Sequence, residues 1–419
     1  MEGQSLLVVC RTILISDICA TKPSAMAVRM GNAIEATDGG ASCVWNDIAG
    51  ADIVGKYVNN MVDVNKKIYN MVNNYMSIQI HIVMTPTRNE AWVIRAFLEC
   101  NGLWADYIII ADQMSIDATR EIISEYINRS EELTGKSEEF PHRAKVIMID
   151  NTNPDFNEAE RQAMLVAKAR EVAAGRDTLL WGLDADEILP ANWQETEDGK
   201  HILNSVKGDV FWFKWAHLAP DKKHYGDSIH FPWLFHDDGI EPHGNYVRNM
   251  HSMRIPYPIE EKQMYHVKEF RVLHCGLLDP MRIAAKNRFY QFVDWELNHK
   301  TPVALSRMYA AHRIENQIVD DQFVLEQEAI AFPFNFWTLI ELGAQHTWFD
   351  DYVHDRLSKY PIEQLRELDI WDEEFMRYYL IEDKRKWQDK VIHGYLHATE
   401  KWKRSIFIRA IDKVLKKIY

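Results

Sequence analysis

Residues 179–187 read LLWGLDADE, an apolar run that ends in an acidic turn. A short run rich in Leu and Trp is typical of a buried strand in a parallel sheet. Side chains alternate along a strand, so Asp184 and Asp186 are expected to point the same way at its carboxyl end. Two neighbouring carboxylates repel each other, and a hard divalent cation relieves that repulsion. The segment therefore predicts a metal site that grips a diphosphate, with an exposed acidic turn as the alternative.

This interpretation depends on what surrounds the two carboxylates. A metal needs them to face a cleft and to keep oxygen atoms available. If both were buried away from a cleft, or neutralised by neighbouring arginines, the metal interpretation would fail.

Composition limits the class of protein. The 419 residues are 47% hydrophobic and 26% charged, which is ordinary for a soluble globular chain of two or three structural units. The formal net charge of −14 argues against a general nucleic-acid binder. The five cysteines form no C-x-x-C pair, so a reducing cytoplasm is the expected compartment. No apolar run is long enough to predict a transmembrane helix, and a secretory signal within residues 5–20 is only weakly indicated.

Strands and helices alternate after residue 76, which predicts an α/β fold with a mostly parallel sheet flanked by helices. Predicted strands are 78–84, 107–111, 145–149, 179–183 and 210–215, and predicted helices are 90–101, 118–128 and 157–174. We expect residues 1–75 to form a poorly ordered extension or a small accessory domain. Residues 76–300 are expected to form the catalytic domain and residues 301–419 a helical C-terminal region. Residues 221–258 are rich in His, Pro and Gly and predict a long binding loop.

Polar residues follow the first two predicted strands. Thr87-Arg88-Asn89-Glu90 follows the first, and Asp112 begins a segment that continues through Ser115, Asp117 and Thr119. Ser115 and Asp117 suit the amino terminus of the next helix, where side-chain oxygens cap free amides. Ligands of open α/β sheets bind at this carboxyl edge.

Three motifs in this order resemble the family-2 glycosyltransferases, which have the GT-A nucleotide-sugar fold. They are residues 87–90, the segment from Asp112 to Thr119, and the acidic residues 184–187. The resemblance covers about residues 76–291 and is greatest to bacterial enzymes that extend lipopolysaccharide cores or related glycans. It implies transfer of a sugar, with inversion, from a nucleotide-diphosphate sugar to a saccharide or lipid-linked acceptor. A UDP-sugar is the favoured donor.

The resemblance also implies roles for individual residues. Asp112 would read the base, and Asp184 and Asp186 would hold Mn²⁺ or Mg²⁺. His274, or else His251, would complete the metal shell. Arg282 and Lys286 would stabilise the departing diphosphate, or else form a solvated basic face. The residues implied to line the donor pocket are Thr87, Asn89, Glu90, Asp112, Ser115, Asp117, Asp184, Arg282 and Lys286.

The catalytic base is the least determined of these roles. Inversion needs a carboxylate on the acceptor side to take the hydroxyl proton. The family's His-Glu pair is missing, since residues 249–252 read NMHS. Asp238 is the favoured base, with Asp237 and Glu241 as alternatives, and each of the three also fits a solvated acidic turn.

The C-terminal segment 402–419 predicts an amphipathic helix. One apolar stripe runs along it, and lysines and arginines cover the other sides. A basic amphipathic helix on an acidic protein suggests peripheral contact with an anionic membrane surface, at the inner face of the membrane. Packing against the domain or against a second subunit is the alternative.

Two other functions fit a similar sheet. A nucleotidyltransferase usually has a glycine-rich loop after the first strand, and residues 85–90 contain no glycine. A non-catalytic glycan-binding module could keep the same fold, because fold alone does not determine function.

Overall fold

The central sheet is built from strands that lie between residues 80 and 266. The computed structural model describes residues 79–133, 143–240, 252–257, 264–309, 322–343 and 346–419, which belong to one compact unit, Tyr75–Tyr419. The strands are β1 Ile80–Thr87, β2 Tyr107–Asp112, β3 Lys145–Asp150, β4 Thr178–Gly182, β5 Glu187–Ile188, β6 Val210–Phe213, β7 Trp215–Leu218, β8 His224–Asp227, β9 Phe231–His236, β10 Met264–His266, β11 Val272–His274 and β12 Gln322–Val324. The predicted extension 1–75, Glu241 and the alternative metal ligand His251 lie outside the described residues.

Strand directions make the central sheet mostly parallel. Its order is β10-β6-β9-β4-β1-β2-β3. Strands β1 to β4 pair in parallel, β9 runs antiparallel to both β4 and β6, and β10 runs parallel to β6. Only β9 therefore points the other way within this sheet. The predicted α/β class with a mostly parallel sheet is confirmed.

Helices cover both faces of this sheet. The helices are α1 Ala91–Asn101, α2 Thr119–Leu133, α3 Glu158–Ala173, α4 Glu197–Leu203, α5 Pro280–Asn298, α6 Pro302–Tyr309, α7 Trp348–Leu357, α8 Ile362–Leu365, α9 Glu373–Tyr378, α10 Trp387–Ala398 and α11 Ile406–Ile418. Alternation along β1 divides the core, since Val83 packs with α1 and α2 whereas Ile82 and Met84 pack with α3. The predicted helical C-terminal region is also confirmed.

The predicted long loop 221–258 is wrong over much of its length. It contains β8 and β9, and β9 lies between β4 and β6 in the central sheet. Trp233, Leu234 and Phe235 are fully buried there. Their burial stabilises a strand although the residues around them are typical of a loop. Pro232 is tolerated because it lies opposite Trp212, at a register shift of the neighbouring strand.

A second sheet carries residues toward the acidic turn. Its order is β12-β8-β7-β11-β5. Strand β5 begins at Glu187, directly after the turn, and pairs antiparallel with β11 so that His274 lies opposite Glu187. Strand β7 pairs with the other side of β11 and places His217 beside His274. This sheet therefore brings two histidines to the end of β4.

Helix α5 packs into the core of the C-terminal helices. Phe289, Phe292 and Val293 of α5 are fully buried against α7 and the segment that follows it. The predicted boundary at residue 300 stays a prediction. Among the described helices, none is both long and apolar enough to cross a membrane.

Candidate metal and donor site

The acidic turn follows β4 rather than extending it. Strand β4 ends at Gly182, and the amide of Glu187 donates to the carbonyl of Asp184 at 2.9 Å. The expectation that Asp184 and Asp186 share one face of a strand is therefore wrong. A backbone hydrogen bond of 2.8 Å from Cys275 to the carbonyl of Asp186 ties the turn to the end of β11.

Three buried side chains at this turn form a possible metal-binding group. Ligand atoms of Asp186, Glu187 and His274 all lie within 4.8 Å of one another. His274 Nε2 is 3.4 Å from Asp186 Oδ2, and Lys286 Nζ is 3.8 Å from the same oxygen. The turn, β11 and α5 thus converge on Asp186.

Gly276 leaves room beside the two best-placed ligand atoms. A Cβ at this position would lie 2.7 Å from His274 Nε2 and 2.8 Å from Asp186 Oδ2. Gly276, Asp186 and Lys286 also line one small cavity. An ion with open coordination positions therefore fits at Asp186 and His274, as Mn²⁺ or Mg²⁺ requires. The imidazole favours Mn²⁺ over Mg²⁺, which prefers oxygen ligands.

Arg254 neutralises the other two carboxylates of the turn. Its guanidinium pairs with Asp184 Oδ2 at 2.5 Å and with Glu187 Oε2 at 2.6 Å. Glu187 also accepts from Trp215 Nε1 at 2.8 Å and from the amide of Asp184. Neutralisation by an arginine, which argues against a metal ligand, therefore occurs at Asp184. The hydrogen bonds of Glu187 are likewise satisfied within the protein. Among the residues that the structure describes, no arginine forms an ion pair with Asp186, so Asp186 and His274 carry the metal interpretation.

A hydrogen-bonded histidine pair bears on which nitrogen of His274 carries the proton. His217 Nδ1 lies 2.7 Å from His274 Nδ1, so one ring must donate and the other accept. When His274 donates from Nδ1, its Nε2 keeps a lone pair for a metal. The pair therefore permits the tautomer that a metal ligand needs.

Neighbouring groups shift the pKa values of both Asp186 and Lys286. Burial acts to raise the pKa of Asp186, but the Lys286 ammonium and the adjacent His274 imidazole outweigh burial and hold that pKa below its usual range. Burial acts in the opposite direction on Lys286, where Tyr290 and the carboxylates of Asp186 and Asp184 raise the pKa above its ordinary value. The cavity thus holds the ionised carboxylate of Asp186 beside the Lys286 ammonium, and this positive charge suits a diphosphate.

Glu90 and Arg282 line the same cavity. Arg282 Nη2 donates to Glu90 Oε2 at 3.1 Å, and its guanidinium stacks over the Trp92 ring at 4.4 Å. Trp92 Nε1 also donates to Glu90 at 2.6 Å. Burial raises the pKa of Glu90 to about 7, against the opposing charge of Arg282. Glu90, Arg282 and Lys286, singled out from separate parts of the sequence, therefore do meet at one site.

Asp112 is fully buried and its oxygens are heavily used. Oδ1 accepts from the hydroxyls of Thr87 and Ser115, at 3.0 and 2.6 Å. Oδ2 accepts from the amide of Ser115 at 3.2 Å and from Arg120 at 2.7 Å. These four donors fill the capacity of a carboxylate. Recognition of the nucleotide base by Asp112 stays a prediction. It requires one of these four hydrogen-bond donors to move away from the carboxylate.

Asn89 and Asp117 brace the two strand-end loops against each other. Asn89 has a φ of 54°, and its side-chain oxygen accepts from the amide of Ile116 at 2.7 Å. Asp117 accepts from the first amide of α1, Ala91, at 3.1 Å and from the amide of Thr119 at 3.0 Å. The predicted capping role of Asp117 is confirmed, and its carboxylate accepts from the first amide of α1 as well as from that of α2.

The favoured catalytic bases do not lie with the acidic turn. Strand β9 runs antiparallel to β4, and the amide of Asp237 donates to the carbonyl of Thr178, where β4 begins. Asp237 also forms an ion pair with Arg170 at 2.9 Å. Asp237 and the adjacent Asp238 are thus separated from the turn by the length of β4, about 15 Å. This separation argues against the predicted role of Asp238, or of Asp237, as the catalytic base.

Sequence reasoning did not single out Trp92, which stacks on Arg282. It also missed Glu187, His217, Arg254 and Gly276 around the turn. Glu187 directly follows the acidic pair and was readable as part of it. His217, Arg254 and Gly276 come from distant segments, and only strand pairing and loop packing bring them to the turn.

Comparisons with known proteins find little similarity. No protein-family model and no curated protein matches this chain. The chain is similar to a solved structure described as a mycobacterial protein, at 16% identity and a TM-score of 0.22, over 34% of this chain and 42% of that one. It is also similar to glucosyl-3-phosphoglycerate synthase from Mycobacterium tuberculosis in complex with Mn²⁺, UDP and phosphoglyceric acid. That match has 18% identity and a TM-score of 0.21, over 33% of this chain and 44% of that one. The chain spans less than half the length of each structure.

Proposed function

We propose that this chain is a metal-dependent, inverting glycosyltransferase that uses a nucleotide-diphosphate sugar. A UDP-sugar is the favoured donor, and the acceptor is a hydroxyl of a saccharide or a lipid-linked saccharide. One observation carries the proposal. Asp186 and His274 leave metal-ligand atoms beside the space at Gly276, and Lys286 and Arg282 line the same cavity.

Each of these residues has a part in the proposed reaction. Asp186 and His274 would hold the cation, which neutralises negative charge on the diphosphate as the sugar–phosphate bond breaks. Lys286 supplies a fixed positive charge on the same side. Arg282 is held by Glu90 and Trp92, so its charge is already oriented before a donor binds.

Thermal unfolding in the presence of UDP and Mn²⁺ tests the proposal. The two together should stabilise the protein by about 2.7 kcal/mol at a hundred times the dissociation constant, and much more than either alone. Asp186→Asn should abolish the joint effect. Glu171→Gln, on an exposed face of α3, is the matched control and should keep it.

Activity then separates the three candidate functions. UDP release from a UDP-sugar in the presence of Mn²⁺ and acceptor, with an inverted anomeric product by NMR, supports a glycosyltransferase. Pyrophosphate release from a nucleoside triphosphate would support a nucleotidyltransferase instead. Glycan binding without turnover of any donor would support a binding module.

Gly276→Ala tests the metal position itself. The added methyl group would occupy the space next to His274 Nε2 and Asp186 Oδ2. We expect loss of Mn²⁺ binding, measured by electron paramagnetic resonance of the free ion. Unchanged Mn²⁺ affinity in this variant would place the metal elsewhere or remove it from the mechanism.

A further inference from the structure

Helix α11 presents an apolar stripe to solvent. Phe407, Ile411, Val414 and Ile418 recur at helical spacing and are between 45% and 82% exposed. Trp402, just before the helix, is also largely exposed. An exposed stripe of large apolar side chains on a folded protein marks an interaction surface.

A polar contact holds the opposite side of this helix to the protein. Asp412 is buried, and both of its oxygens accept from the guanidinium of Arg307 on α6, at 2.8 and 3.0 Å. The Tyr395 hydroxyl of α10 donates to Asp412 at 3.0 Å. The usual arrangement is reversed, since a charged residue faces the protein and the apolar stripe faces outward. Packing on the domain therefore accounts for one side of the helix only.

Basic side chains surround the exposed stripe. Residues 401–417 contain Lys401, Lys403, Arg404, Arg409, Lys413, Lys416 and Lys417. Asp412 is the acidic residue among them, and its charge is paired with Arg307. On a chain of formal net charge −14, this is a local concentration of positive charge. An apolar stripe bordered by lysines and arginines matches the boundary between lipid headgroups and acyl chains.

We propose that α11 and Trp402 form a docking surface for an anionic lipid bilayer, on which the helix lies parallel to the membrane plane. Two other candidate partners match the positive charge of this surface less well: residues 1–78 of the same chain and a second copy of the chain. Residues 1–78 contain seven acidic and six basic side chains and are nearly neutral. A second copy would bring an identical set of basic side chains against this one. Anionic headgroups complement the basic border, and their acyl chains accept the apolar stripe.

Vesicle flotation of the full chain tests this surface. Vesicles of phosphatidylcholine with phosphatidylglycerol should bind at least about tenfold more tightly than phosphatidylcholine alone, and less so as salt rises. Phe407→Ser/Val414→Ser should weaken binding at least about tenfold. Lys413→Glu/Lys417→Glu should remove the preference for anionic lipid. The assay contains no nucleotide sugar, so its result is independent of the proposed activity.

Matched controls change equally exposed residues elsewhere. Val206→Ser removes a largely exposed apolar side chain, and Lys145→Glu/Lys359→Glu reverses two exposed charges. Both should bind vesicles like the unchanged protein. The proposal is overturned if anionic vesicles do not bind, or if the controls lose binding as the α11 variants do. A dimer in sedimentation velocity that Phe407→Ser/Val414→Ser abolishes, without vesicle binding, would assign the stripe to a second copy.

Discussion

Arg254 is the residue on which the acidic turn depends. Glu187 is completely buried, and a buried carboxylate without a partner is strongly unfavourable. The Arg254 guanidinium pairs with Glu187 and Asp184 and lies over the rings of Trp215 and Trp233. Burial acts to lower the pKa of Arg254, but the two carboxylates raise it above its ordinary value, so the charge persists.

Removing this guanidinium tests that dependence. Arg254→Met leaves the buried Glu187 without a countercharge, and we expect a loss of about 3–5 kcal/mol in the free energy of unfolding by urea. Glu187→Gln in the same chain should restore much of the loss, because the uncompensated charge is gone. Arg254→Lys should be intermediate, since it keeps the charge without the two-pronged contact. A loss below about 1 kcal/mol for Arg254→Met would contradict this account.

The raised pKa of Glu90 predicts that the stability of the protein depends on pH. Burial raises its folded-state pKa to about 7, above the ordinary value of 4.5. The folded state therefore binds more protons than the unfolded state between these values, and this contribution to stability is lost as pH rises through 7. Glu90→Gln stays neutral. Its stability relative to the unchanged protein should rise by about 2–3 kcal/mol between pH 5 and pH 8.

Urea unfolding at several pH values measures this difference. Glu171→Gln, which changes an exposed carboxylate, should show no such trend. A difference between Glu90→Gln and the unchanged protein that stays constant with pH would show that burial does not raise this pKa.

At the scale of elements, Gly182 lets a distant segment cross the end of β4. A Cβ at residue 182 would lie 2.7 Å from the Cβ of Arg254 and 2.9 Å from its carbonyl oxygen. Residues 252–257 can pack there because glycine has no side chain. The position of Arg254 in the site thus depends on a strand residue that makes no polar contact with it.

Gly182→Ala should displace this crossing segment. We expect a loss of about 1–3 kcal/mol in unfolding free energy, because the clash involves backbone as well as side chain. Tryptophan fluorescence should change too, since Arg254 lies over Trp215 and Trp233. Gly394→Ala is the control: its Cβ meets nothing within 4 Å in α10, and it should stabilise by about 1 kcal/mol. Equal effects at both positions would be inconsistent with this crossing.

At the scale of the whole molecule, Arg288 of α5 holds the C-terminal helices. Its guanidinium donates to both oxygens of Asp350 at 2.8 and 3.0 Å, and to Asp372 at 2.5 Å. Helix α5 also carries Arg282 and Lys286 into the cavity. One helix therefore links the C-terminal region to the candidate site, and Arg288 is turned away from that site.

Loss of Arg288 should weaken the whole fold. Arg288→Met leaves Asp350 buried without its partner, and we expect a loss of about 3–5 kcal/mol. Asp350→Asn should rescue part of that loss. Arg95→Met breaks the exposed pair with Glu125 and should cost less than about 1 kcal/mol in the same urea titration. If the two arginine variants cost the same, the buried network does not hold the C-terminal helices.

The sequence by itself determined the alternation of strands and helices. Apolar periodicity is a local property, so β1 to β4 and helices α1 to α3 were located from their own residues. The polar residues at strand ends were equally readable, because the parallel order of strands places those ends on one edge. Glu90, which follows β1, and Asp186, which follows β4, do meet there.

Only the tertiary structure decided which charges meet. The insertion of β9 between β4 and β6 moved Asp237 and Asp238 to the far end of β4. The approach of Arg254 gave Asp184 a protein partner, whereas pairing of β11 with β5 left Asp186 beside His274. These contacts join residues far apart in the chain. Their energies depend on burial and on the approach of other segments, neither of which local sequence pattern contains.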